Sequence, residues 1–186
     1  MHNDRGHTLL AIARGAIATQ LGELSPPFEE TEWLNEPGAT FITLTSAGSL
    51  RGCIGSLEAE RPLRVDVESN ARAAAFSDPR FPPVSVREYH GIEVEVSLLS
   101  PMQPVAAGSE AHAMKLLRPG VDGVVLEYGL RRGTFLPQVW DQLPEPHAFL
   151  AHLKQKAGLP SDFWSNEIRL SRYTVTKWKE SELPVN

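Results

Sequence analysis

The sequence is poorest in cysteine: Cys53 is the only one in 186 residues. No intramolecular disulfide can form, so a bridge-stapled extracellular framework is excluded and a reducing cytosol is the expected compartment. Long apolar runs are missing too. The longest small-apolar stretch, Leu9 to Leu21, is interrupted by Arg14, Thr19 and Gln20, so it falls short of the ~18 uninterrupted residues of a membrane span. The opening Met1-His2-Asn3-Asp4-Arg5-Gly6 lacks the apolar segment of a signal peptide. Positive charge is also scarce. Lys plus Arg number 18 against 23 Asp plus Glu, a net charge of −5, which is the reverse of a nucleic-acid binder's basic footprint. There is no dinucleotide fingerprint, phosphate loop or HExxH pair. His147 and His152 are five apart, which does not stack them on one helix face, and one thiol cannot build a multi-thiolate zinc site. No metal and no cofactor is expected.

What remains is an ordinary globular composition, 41% hydrophobic and 22% charged, of a size suited to one domain. Residues 23–36 carry five Glu and no base and read as a solvated acidic loop. Leu10, Ala13, Ile17 and Leu21 recur at helical spacing, with Gly22 as the stop. Thr40 to Thr45 is a β-branched, alternating strand. Ser46-Ala47-Gly48-Ser49 is a turn, and Leu50 to Ser56 returns as the second strand of a hairpin. Pro62 opens a helix with the stripe Leu63, Val67, Ala71 and Ala74, and Asp78-Pro79 ends it. Ile92, Val94, Val96 and Leu98 alternate with polar residues in the clearest strand of the chain. A short helix over Glu110–Leu117, strands over Val121–Tyr128 and Arg131–Leu136, a helix from Pro146 and one long strand over Glu167–Trp178 complete the reading. The hairpins favour an α+β class, with an antiparallel or mixed sheet flanked by helices.

The strongest local signal for chemistry is Leu50-Arg51-Gly52-Cys53-Ile54-Gly55. Glycines inside a strand mark a bulge or a close approach of backbone or ligand. In a regular strand Arg51, Cys53 and Gly55 share one face, with Arg51 about 7 Å from Cys53. A guanidinium at that distance favours the nucleophilic thiolate, and amides beside Gly52 and Gly55 suit an oxyanion. The plain alternative is a small buried thiol with a packing role. Arg80 sits in the stiff loop Asp78-Pro79-Arg80-Phe81-Pro82-Pro83. Its fork suits a carboxylate or phosphate, or else packing over Phe81 with an acidic neighbour. Glu93 and Glu95 share a strand face, where Glu95 is a candidate proton carrier or simply part of a wet surface. Gln138 is a candidate ligand hydrogen-bonder. His90, His112, His147 and His152 sit in no recognisable motif.

The same residues carry a resemblance. The segment Leu50–Gly55 resembles the signature of the AMMECR domain family, also called AmmeMemoRadiSam system protein A. Asp78–Pro83, Glu95–Ser100, Gly120–Val124, Phe135–Val139, and Phe149–Trp164 with the strand at Tyr173 are similar to its further blocks, in order, across nearly the whole chain. The resemblance implies a single AMMECR-type domain over residues 1–186, with a larger and a smaller lobe and a cleft between them near the cysteine motif. It also implies association with Memo-type and radical S-adenosylmethionine proteins. It supplies no reaction. The functional expectation is a cysteine-dependent enzyme or catalytic subunit acting on a small substrate. Cys53 and Glu95 are its chemical residues, and Arg51, Gly52, Gly55, Arg80 and Gln138 its binding residues. The alternative is a non-catalytic ligand- or protein-binding adaptor, without nucleic acid or membrane.

Overall fold

The computed structural model describes residues 2–183, with side chains from Asp4 onward. The chain divides into two compact units, Met1–Leu99 with Thr176–Asn186, and Ser100–Val175. Helices and largely separate antiparallel strands make each an α+β unit.

In the first unit the predicted amphipathic segment is the helix α1, His2–Leu21, which starts eight residues before the apolar periodicity does. Gly22, at φ +76°, ends it. The strand β1, Thr40–Ser46, turns through Ala47-Gly48 into β2, Ser49–Gly55. The helix α2, Leu63–Phe76, begins after Pro62 and buries the expected Leu63, Val67, Ala71 and Ala74. A short helix α3, Val86–Tyr89, held by a Ser85–Glu88 capping box, escaped the sequence reading because four residues carry no period. The strand β3 is Ile92–Leu99. The sheet order is β2-β1-β3-β8, where β8 is Val175–Lys179, so β2 is an edge strand. β1 pairs antiparallel with both β2 and β3. Leu9, Ala13, Ile17, Ile42, Leu44, Val67, Val94 and Val96 form the core between the two long helices and one sheet face. Truncating such a fully buried aliphatic to Ala costs about 2–5 kcal/mol.

A polar knot joins α2 to β1. The Asp66 carboxylate, fully buried, accepts from Thr40 N (2.8 Å), Thr40 Oγ1 (2.7 Å), Asn70 Nδ2 (2.9 Å) and Arg61 Nε (2.8 Å). A buried charge is tolerated only when its lone pairs are occupied in this way. The knot holds the helix against the sheet, which matters for the site below.

The second unit carries β4 (Gln103–Val105), α4 (Glu110–Leu116), β5 (Gly123–Tyr128), β6 (Arg131–Phe135), α5 (Pro146–Lys156) and β7 (Arg169–Tyr173). Its sheet order is β4-β7-β5-β6. Trp140 stacks on Phe149 at 3.7 Å in its core. Lys154, 1% exposed, donates to Glu110 Oε1 at 2.7 Å and so ties α5 to α4. The single long strand expected over Glu167–Trp178 is two strands, β7 and β8, in different sheets. Continuous alternation of residues carries no mark of a change of sheet.

Candidate functional site

Alternation along β1, β2 and β3 divides the first unit's sheet into two faces. Leu44, Ile42, Val94 and Val96 face the helices. Cys53 pairs with Thr43, and Thr43 with Glu95, in one row across three strands on the other face. The half-buried Cys53 Sγ accepts a hydrogen bond from Thr43 Oγ1 at 3.4 Å. Glu95, two interstrand spacings or about 9.5 Å from Cys53, is instead held by Lys177 Nζ (3.7 Å) and Lys179 Nζ (3.5 Å). Glu93 shares the face as expected and accepts from Thr45 Oγ1 and Ser181 N.

The backbone of Cys53 is gripped from the open edge. Its N–H donates to Asp78 Oδ2 at 2.9 Å, and its carbonyl accepts from Arg80 Nη2 at 3.2 Å. The Arg80 fork in turn binds Asp78 through Nε (2.9 Å) and Nη2 (2.7 Å). The Asp78–Arg80 pair thus takes the place of a neighbouring strand for one residue, which also shields an exposed edge. Asp78 is buried while the Arg80 side chain is 54% exposed. The Arg80 bond, then the Cys53 amide, hold the Asp78 carboxyl far below the usual carboxylate range. Arg80 is pushed up, chiefly by its bond to Asp78. Its guanidinium also lies over the Phe81 ring, 5.6 Å from the centroid.

Arg51 does not follow simple alternation. The register steps from Leu44↔Gly52 to Thr45↔Leu50, so Arg51 is the extra residue of a β-bulge, which redirects a side chain. It is buried, donates to Glu88 Oε1 (3.0 Å) and to the Pro82 carbonyl (2.9 Å), and lies over Phe81 at 5.8 Å. Arg51 followed by Ser85 holds Glu88 down at about 2. The two arginine-bearing segments are therefore interlocked: Asp78 and Arg80 hold Cys53, and the loop after them holds Arg51.

Both glycines have steric reasons. A Cβ on Gly52 would lie 2.2 Å from the Ala74 carbonyl oxygen of α2, and one on Gly55 would lie 2.3 Å from the Phe41 ring. Gln138 is exposed in a 3-10 helix, Pro137–Asp141, of the second unit. His90, His112, His147 and His152 are all exposed. The sequence reading missed two contributors. Asp78 registered only as a helix terminator before proline, and Thr43 only as one polar residue of an alternating strand. Among the described residues no group of three or more His, Cys, Asp or Glu is placed to hold a metal ion, and no helix is long and apolar enough to cross a membrane.

The fold and site define an α+β protein of two units, the first of which carries a glycine-flanked cysteine on an edge strand. The sequence profile of the AMMECR1 family matches residues 10–178, and the chain belongs to that family. A protein of Methanothermobacter thermautotrophicus is 41% identical over 189 residues, covering 97% of this chain and 96% of its own. One from Methanocaldococcus jannaschii is 40% identical over 96% of this chain and 92% of its own. The crystal structure of an uncharacterized protein from Pyrococcus horikoshii superposes with a TM-score of 0.81 at 33% identity, covering 97% of this chain and 95% of that one.

Proposed function

We propose that Cys53 is the nucleophile or covalent carrier of a thiol-dependent enzyme, or of the catalytic subunit of a small system, acting on a small substrate. One observation supports this reading above the others: a half-buried thiol carries a hydroxyl donor, Thr43, while its own amide and carbonyl are fixed by Asp78 and Arg80. Chemistry at a side chain requires that its supporting contacts hold it in place. The half-exposed Arg80 guanidinium would receive an anionic or carbonyl group of the substrate. Arg51, Gly52 and Gly55 would shape the binding segment. Glu95, two strands from Cys53 and held by Lys177 and Lys179, would act on a distal part of the substrate. Memo-type and radical S-adenosylmethionine proteins, associated with the family, are the partners to test first.

The test is alkylation of the folded protein with iodoacetamide across pH 5–10, read by intact mass, beside Cys53→Ser in any assay or phenotype. Prompt single labelling of the native protein is expected, with Cys53→Ser inactive. Labelling only on unfolding, or full function of Cys53→Ser, would sink the reading. The adaptor reading would then lead. It draws on the bonds of Arg51 to Glu88 and Pro82 and of Arg80 to Asp78 and Cys53, which would make the motif a structural clamp.

A further inference from the structure

A separate cavity lies on the helical side of the first unit's sheet, the face opposite Cys53. Its volume is about 380 Å³, which falls in the range of small-molecule sites. Three features of its walls decide what it can hold.

The first is polarity. Leu10 and Ala11 of α1, Pro26, Pro27 and Leu183 supply apolar walls. The charges at the base cancel and are used up. Arg14 donates to Glu180 through Nε (2.9 Å) and Nη2 (2.6 Å), and to the carbonyls of Tyr89 and Ile92 (2.7 Å each). Glu180 also accepts from Val94 N at 2.8 Å. Arg14 and Glu180 leave no net charge between them for an ionic ligand, and the Tyr89 carbonyl of α3 and the Ile92 and Val94 backbone groups of β3 are already paired, so a strand-like peptide finds no partners among them.

The second is permanence. A cavity persists only if its walls cannot fall inward. Two successive prolines form one wall, and the residue before them is pinned. Ser25 Oγ donates to the Gly15 carbonyl at 3.2 Å and lies 3.0 Å from Thr19 Oγ1, while Glu23 N donates to the Ala18 carbonyl at 2.9 Å. The loop is thus fastened to α1 on the N-terminal side of the prolines.

The third is a single polar handle. His7 lines the cavity, and its imidazole makes no hydrogen bond to the described residues. A ring nitrogen can donate or accept according to its tautomer.

We infer that this cavity is a binding site for a compact, uncharged, mostly apolar molecule of about one or two rings that carries one hydroxyl, carbonyl or N–H group for His7. The inference is independent of any chemistry at Cys53, since neither the cavity nor its lining includes a residue of that face.

The probes are p-cresol, which has the ring and the hydroxyl, and toluene, which lacks the hydroxyl. Binding is followed by NMR titration of the full chain. Saturable one-to-one binding of p-cresol is expected, with shifts confined to α1, Pro26–Pro27, Glu180 and Leu183. Ala11→Phe fills the cavity from its wall and should weaken both probes at least tenfold. His7→Ala should weaken p-cresol at least threefold and leave toluene unchanged. Absence of saturable binding to the wild-type chain overturns the proposal. So does undiminished p-cresol binding by His7→Ala, and this second variant, at a half-buried position near the N-terminus, decides the matter if Ala11→Phe fails to fold.

Discussion

Replacing Gly52 by Ala tests whether the glycine exists for the fold or for a ligand. The added Cβ would lie 2.2 Å from the Ala74 carbonyl oxygen and 3.1 Å from the Ala74 carbonyl carbon. An ordinary carbon–oxygen contact is about 3.3 Å, so strand and helix must separate by roughly 1 Å. Neither yields easily. The Asp66 knot ties α2 to β1, and β2 is held by its pairing with β1 and by the Asp78–Arg80 grip. Overpacking against side chains costs about 1–3 kcal/mol. Backbone on both sides puts Gly52→Ala at the upper end, about 2–3 kcal/mol. For a chain of this length that lowers Tm by about 5–10 °C. Calorimetric melts of Gly52→Ala beside Cys53→Ser measure it, the half-buried Cys53 serving as a mild neighbouring change. If Gly52→Ala melts within about 1 °C of the parent, the contact does not constrain the fold and the steric account of the motif fails.

Other consequences can be checked together. Glu88 has a folded value of about 2, below its ordinary range, because Arg51 binds it, so its contribution to stability is present above about pH 4.5 and is lost as pH falls toward 2. Glu88→Gln should therefore be about 1 kcal/mol less stable than the parent at pH 7, given the partly exposed pair, and equal to it near pH 2 in urea melts; a gap independent of pH would refute the pairing. Asp78 acts in the same direction, so the grip on Cys53 should loosen only in strong acid, read as rising hydrogen exchange of the Cys53 amide. In the second unit Glu110→Ala strands the buried Lys154 and should cost about 3–5 kcal/mol, whereas Lys154→Met with Glu110→Ala should recover most of it; equal losses in the single and double variants would show that the pair does not matter.

Much of the fold was legible because local patterns carry it. Apolar residues at helical spacing marked α1 and α2, alternation marked β1 and β3, and Pro62 and Gly22 marked helix ends. Patterns do not carry everything: α3 is too short for a period, and β7 and β8 read as one strand because alternation does not record which sheet a strand joins. At the site, the sequence determined that Cys53 lies between two glycines in an extended segment on the face away from Ile54. For Arg80 it left two readings open, an anion clamp or packing over Phe81 with an acidic neighbour. Only the tertiary structure decided the rest. The bulge at Arg51 is a matter of register between β1 and β2, which no single strand specifies. The grip of Asp78 and Arg80 on the Cys53 backbone spans 25 and 27 residues. Such contacts depend on where α2 lays its C-terminal end, and that position follows from the packing of the whole core rather than from any local run of residues.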